Sequence, residues 1–309
     1  MNLKKIIVYL VVASVIFLTI FFYRTPISLT SIEDINEASQ KAGKGNTKAL
    51  KFLIRNLENT NPDIQKEAYN SITKIGKPAI PLLIKLLENK DPSLQEYGAG
   101  LLGSIKDNDS LPVLIQHLSS PNFKHKYVLC WALGEIGDAN AIEPLIDIYP
   151  NSKEDTQKYI LRALVKIGKP ALPYLLKNLE SNDLSLQKLS ILSLGQIRGE
   201  DLVPLLLKIV NEKNIEFITL ALGDLADPEG IDFLIKSLKH PAWQVRQKSA
   251  QSLTRFTDMK ILPPLRAALN DEVAAVREWA AKAIECISEE KCEYKNGQGE
   301  LVYPDSLYR

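Results

Sequence analysis

LCWALGEIGD at residues 129–138 and ILRALVKIGKP at 160–170 are two versions of one phrase, and the phrase recurs through most of the chain. Its other copies are AYNSITKIGKP (68–78), YGAGLLGSIKD (97–107), SILSLGQIRG (190–199), TLALGDLADP (219–228), AQSLTRFTD (250–258) and AAKAIECI (280–287). The apolar residues near their ends are Ile75, Ile105, Ile136, Ile167, Ile197, Leu225, Phe256 and Ile287, spaced 30, 31, 31, 30, 28, 31 and 31 apart. A fixed period of this length marks a repeat array, in which each unit buries its apolar face only by stacking on its neighbours.

A second landmark keeps the same beat. Pro81, Pro112, Pro144, Pro173, Pro204 and Pro264 each precede or open an apolar stretch such as PLLIKLLE or PLLLKIV. Proline suits the first turn of a helix, where its missing N–H has no partner to lose. Each repeat therefore has a first helix starting near its proline. A second helix follows a polar turn, and Asn61-Pro62, Asp91-Pro92 and Ser120-Pro121 each place a capping side chain before a proline at the first helical position. Within the second helices, apolar residues lie three, six or seven, and eleven positions before the terminal one, as in Leu94, Gly98, Leu102 and Ile105. That is helical periodicity, and it marks the core face.

The pattern resembles HEAT repeats, and in particular the short repeats of the phycobilin-lyase-like HEAT family. That family's apolar residue plus Arg, paired small residues and Ala-Leu-Gly-x-Ile are matched by Val276-Arg277, Ala280-Ala281 and Ala132-Leu133-Gly134-Glu135-Ile136. The resemblance covers residues 47–287. The signature Arg stands only at Arg246 and Arg277, with Gln65, Gln95, Gln157 and Gln187 in its place elsewhere. What the resemblance implies is an all-α fold, a right-handed α-solenoid of about eight helix-turn-helix repeats whose second helices line a concave surface. Some relatives attach or remove tetrapyrroles.

The chain has 309 residues, 45% hydrophobic and 24% charged, a composition that folds. Its first segment stands apart. Residues 1–5 form a short head, and 6–23, IIVYLVVASVIFLTIFFY, carry no charge and would span roughly 27 Å as a helix. This predicts an uncleaved transmembrane helix, with secretion after signal cleavage as the alternative. Lys4 and Lys5 against Arg24 place the amino terminus in the cytoplasm and the repeats on the other side. Residues 24–46 are expected to be a linker and a capping helix opened by Ser31 to Asp34 in a capping-box arrangement. Residues 288–309 lose the period and read as a closing cap or flexible tail.

Chemistry is sparse. His117, His125 and His240 lie in different repeats, none at metal-ligand spacing from Cys, Asp or another His. No phosphate loop or Gly-x-Ser-x-Gly elbow occurs, and Gly103, Gly134, Gly195 and Gly223 fall at a packing position of the second helix. Cys130 sits at a buried position, while Cys286 and Cys292 are close enough for an oxidising compartment to join them. No catalytic residue, cofactor or metal is therefore expected. The formal net charge of +1 becomes −2 once Lys4, Lys5 and Arg24 are set aside, which offers little to the phosphates of a nucleic acid.

The informative positions are nine, eight and five residues before each terminal apolar residue, where HEAT-like second helices face the concave surface. From the second repeat to the sixth they supply Tyr97, Tyr127, Val128, Trp131, Tyr159, Leu189, Leu192, Phe217 and Leu220, flanked by Lys158, Arg162 and Lys188. A contiguous apolar and aromatic stripe of this kind marks a binding surface. The reading is a membrane-anchored scaffold that holds a protein or peptide. The alternative is a lyase-like enzyme or chaperone for a tetrapyrrole or other flat apolar ligand.

Overall fold

The computed structural model of the chain describes residues 30–289 and 291–304. They form two compact units, one ending at Ser110 and the other starting at Leu111. In the first unit, α1 (Ile32–Gly43) packs on α2 (Thr47–Arg55) and α3 (Pro62–Ile75), and α4 (Ile80–Leu87) packs on α5 (Pro92–Ile105). Ser31 and Asp34 open α1 as a capping box: Ser31 Oγ accepts from Asp34 N at 3.1 Å, and Ser31 N donates to Asp34 Oδ2 at 2.8 Å. Asn61 and Asp91 cap α3 and α5, accepting from the backbone N–H two residues on at 2.9 and 2.8 Å.

The second unit holds six further helix pairs. Their first helices are α6 (Leu111–Leu118), α8 (Ile142–Ile148), α10 (Leu172–Asn178), α12 (Leu202–Lys208), α14 (Ile231–Ser237) and α16 (Leu262–Ala268). Their second helices are α7 (Lys126–Ile136), α9 (Glu154–Ile167), α11 (Leu184–Ile197), α13 (Ile215–Leu225), α15 (Trp243–Leu253) and α17 (Ala274–Ser288). Each first helix packs on its own second helix, and α7, α9, α11, α13, α15 and α17 stack in succession. The third repeat departs from the sequence reading. Ser120 makes only a turn, accepting from Asn122 N at 3.3 Å, Phe123 turns inward with its ring 5.9 Å from His117, and the helix starts at Lys126.

The same position supplies the core in each unit. Three residues before each terminal apolar residue stand Ile72, Leu102, Leu133, Leu164, Leu194, Leu222, Leu253 and Ile284, all buried. The glycines let the second helices close on one another. A Cβ added to Gly134 would lie 2.8 Å from Ala163 Cα, and one on Gly195 2.8 Å from Ala221 Cα. At Gly223 it would meet Ser252 Oγ at 2.5 Å.

The Gln and Arg positions noted in the sequence share one job. Each donates to backbone carbonyls of the turn preceding its own helix: Gln65 to Leu57, Gln95 to Asn89, Gln157 to Tyr149 and Gln187 to Ser181, at 2.7–3.1 Å. Arg246 does the same to His240 and Pro241, and Arg277 to Asp271 and Glu272. An arginine has donors to spare. Arg246 also grips Asp271 bidentately at 2.7 and 3.0 Å, both side chains almost wholly covered. The tail forms a small hairpin, β1 (Tyr294–Lys295) with β2 (Leu301–Val302), a departure from a purely helical fold. Arg277 fixes it by donating to the carbonyls of Lys295 and Asn296.

Burial pushes the Asp271 carboxyl up, but the Arg246 hydrogen bonds, the Val273 N–H and the charges of Arg246 and Arg277 together outweigh it and hold the group below the ordinary carboxylate range. A depressed carboxyl stabilises the fold above its unfolded value, near pH 4, and that contribution disappears as pH falls through the folded value. Urea unfolding of the parent and of Asp271→Asn should therefore differ at neutral pH, with the gap narrowing as pH falls below about 4. A gap of constant size would show that Asp271 does not titrate with unfolding.

The membrane reading is corrected. Among the described residues no helix is long and apolar enough to cross a membrane. The longest, α17, has 15 residues, roughly 22 Å, and carries Arg277, Glu278, Lys282 and Glu285. Residues 6–23, the expected transmembrane helix, lie outside the described residues, and the single-pass localisation built on them is withdrawn. Cys286 is exposed and Cys292 buried, and no disulfide joins them.

Candidate partner-binding site on the second-helix row

The predicted stripe divides between the two units. Tyr97 belongs to the first, where its hydroxyl accepts from Gln65 Nε2 at 2.7 Å, so this ring is tied to the turn clamp of the preceding repeat. The other ten residues lie in the second unit, on α7, α9, α11 and α13. Tyr127, Val128, Trp131, Tyr159, Lys188, Leu192, Phe217 and Leu220 are half-buried, and Arg162 is exposed. Leu189 is fully covered and belongs to the core. Equivalent positions of the neighbouring helices hold Tyr159 and Phe217, larger side chains that still reach the surface.

Contacts join these side chains from helix to helix. The rings of Tyr127 on α7 and Tyr159 on α9 are 5.4 Å apart and tilted by 39°, a geometry that suits the quadrupoles of two aromatic faces. His125, just before α7, stacks on Tyr127 at 5.9 Å. Arg162, one turn beyond Tyr159, sets its guanidinium 5.4 Å from that ring. Lys188 on α11 reaches over Phe217 of α13 at 5.5 Å. Spacing alone placed these residues on one face; the pairings emerge only in the fold. His125 and Glu154 were missed as members of the site. Their signal was position, since His125 stands two residues before Tyr127 and Glu154 four before Lys158.

The electrostatics are mixed. Glu154 accepts from Lys158 at 2.9 Å, and Lys158 together with the charge of Lys188 holds the Glu154 carboxyl below its ordinary value. Arg162 and Lys188 have no carboxylate at ion-pair distance among the described residues. Beneath the row Cys130 is buried, and burial pushes its thiol up to about 12, so it stays protonated and is no nucleophile. Among the described residues no group of His, Cys, Asp and Glu could hold a metal ion. What this surface offers is aromatic faces, aliphatic side chains and two cations.

Stacked helix pairs carrying an open row of contact residues define a helical-repeat protein. The model for HEAT repeats matches residues 80–157, 142–222 and 215–285, which together cover two thirds of the sequence. The chain belongs to the HEAT-repeat family. No curated protein matches it. Among solved structures it is similar to the CpcE–CpcF complex of phycocyanin lyase from Nostoc sp. PCC7120, at 21% identity over 66% of this chain and 86% of that one, TM-score 0.40. It is also similar to human deoxyhypusine hydroxylase, at 19% identity over 81% and 100%, TM-score 0.34. For Kap121p the values are 12% over 78% and 37%, TM-score 0.46.

Proposed function

We propose that this protein is a binding scaffold whose second-helix row, from α7 to α13, holds a protein or peptide. The observation that carries the reading is two contacts between half-buried side chains of neighbouring second helices, Tyr127 with Tyr159 from α7 to α9 and Lys188 over Phe217 from α11 to α13. The close approaches at Gly134, Gly195 and Gly223 all lie in the second helices, where they bring neighbouring helices of the row together. Tyr and Trp are the side chains most often responsible for interface energy, because they bury large area with few torsions to freeze. Proline, packed leucine and turn carbonyls account for the rest of each repeat without invoking a reaction.

The test is crosslinking and affinity capture from lysate of the source cells with the full chain, beside a Tyr127→Ala, Trp131→Ala, Tyr159→Ala variant whose helical melt is unchanged. A ring at the centre of an interface is worth about 2 kcal/mol or more, so a partner held by the parent should be lost by the variant. Equal capture by both removes the aromatic row from the binding surface. A pigment or other flat molecule retained by the parent alone would instead favour the lyase-like reading.

A further inference from the structure

Two cations of the second-helix row have a carboxylate of their own. Lys158 is paired with Glu154, and Lys282, which covers the Trp279 ring at 4.8 Å, is paired with Glu278 at 2.6 Å. Arg162 and Lys188 are built differently. Each rests on an aromatic face, Tyr159 at 5.4 Å and Phe217 at 5.5 Å, with no carboxylate at ion-pair distance among the described residues.

A ring face attracts a cation through its quadrupole but accepts none of its hydrogen bonds in the ordinary sense. The five donors of the guanidinium and the three of the ammonium are therefore steadied in place and left for an anion. Charge-assisted bonds to a carboxylate are the strong form of that interaction. The same row carries Trp131 and Val128 on α7, Leu192 on α11 and Leu220 on α13, half-buried and apolar.

We propose that the occupant of this surface is an acidic protein segment, one whose Asp or Glu side chains alternate with apolar or aromatic ones. The inference rests on the binding reading above and names the chemistry of its partner. Carboxylates meet Arg162 and Lys188, and the apolar side chains of the segment lie against Tyr127, Tyr159 and Phe217. A basic segment would face two cations that no described carboxylate meets at ion-pair distance. A nucleic acid would find rings to stack on, but Glu154 and Glu216 stand on the same row, and two cations do not track a phosphate backbone.

Fluorescence anisotropy of the full chain with three probes tests this. The probes are a peptide of alternating Glu and Phe, the same peptide with Lys for Glu, and an oligothymidylate. The acidic peptide should bind alone of the three, weaken as salt is raised, and lose roughly tenfold or more in affinity with Arg162→Gln plus Lys188→Gln. Both substitutions are on the surface, and an unchanged helical melt would confirm that the variant folds. Binding of the lysine peptide or the oligonucleotide in preference, or unchanged affinity of the acidic peptide for the double variant, would overturn the assignment. Failure of the acidic peptide to bind would do the same. If partner capture still depended on Tyr127 and Tyr159 in those cases, only the acidic chemistry would fall, whereas loss of that dependence brings down the binding reading itself.

Discussion

Replacing Arg246 by alanine is expected to remove about 3–5 kcal/mol of stability from the Leu111–Pro304 unit, the largest effect of any single change considered. The guanidinium holds three things at once. It donates to the turn carbonyls of His240 and Pro241 at 3.0 and 2.9 Å, grips Asp271 through two bonds and reaches Glu272 at 3.1 Å. Alanine leaves a nearly covered carboxylate without its ion-pair partner and two carbonyls without a donor, and those unmet groups, rather than the lost contact, make the cost large. In a repeat array the damage stays near its origin, so hydrogen exchange should quicken first in α15, α16 and α17 and last in α6 and α7. An unchanged urea midpoint would mean that Arg246 is replaceable by water.

The second large effect is expected for Gly195→Val. A Cβ there lies 2.8 Å from Ala221 Cα and 3.0 Å from Ala221 O, so the obstacle is the backbone of α13 rather than a side chain able to swing away. Overpacked cores lose about 1–3 kcal/mol, and the top of that range applies where two helix axes must separate. Gly297→Val is the control, since nothing lies within 4 Å of a Cβ at that position. Equal denaturation midpoints for the two variants would show that α11 and α13 can part at little cost.

The repeat itself was legible because the forces behind it are local and periodic. The line from Ile72 to Ile284 is buried wherever the period says it should be, the prolines stand in the first turns of their helices, and the Ser31 capping box is formed. What escaped the sequence depends on neighbours. A register counted along one helix assigns Leu189 the same outlook as Tyr159, although how far a side chain protrudes is set by its size and by the next helix. The tilt of Tyr127 on Tyr159 follows from the spacing of α7 and α9, which no single repeat encodes. The glutamines that replace the signature arginine looked like losses from the pattern. They keep its bond to the turn and give up only the charge, which is why the array tolerates them. The cap read at Ser120-Pro121 does not form: Phe123 is buried instead and the helix starts at Lys126.

The most direct measurement of the central claim is position-specific photocrosslinking in the source cells. Benzoylphenylalanine is placed at position 127 or 217 on the second-helix row, and at position 174, where Tyr174 of α10 is exposed on the first-helix row. A shared protein adduct from 127 and 217, absent from 174 and diminished by Arg162→Gln plus Lys188→Gln, is the predicted result. An adduct from 174 with none from 127 or 217 would place the binding surface on the opposite row and contradict the account.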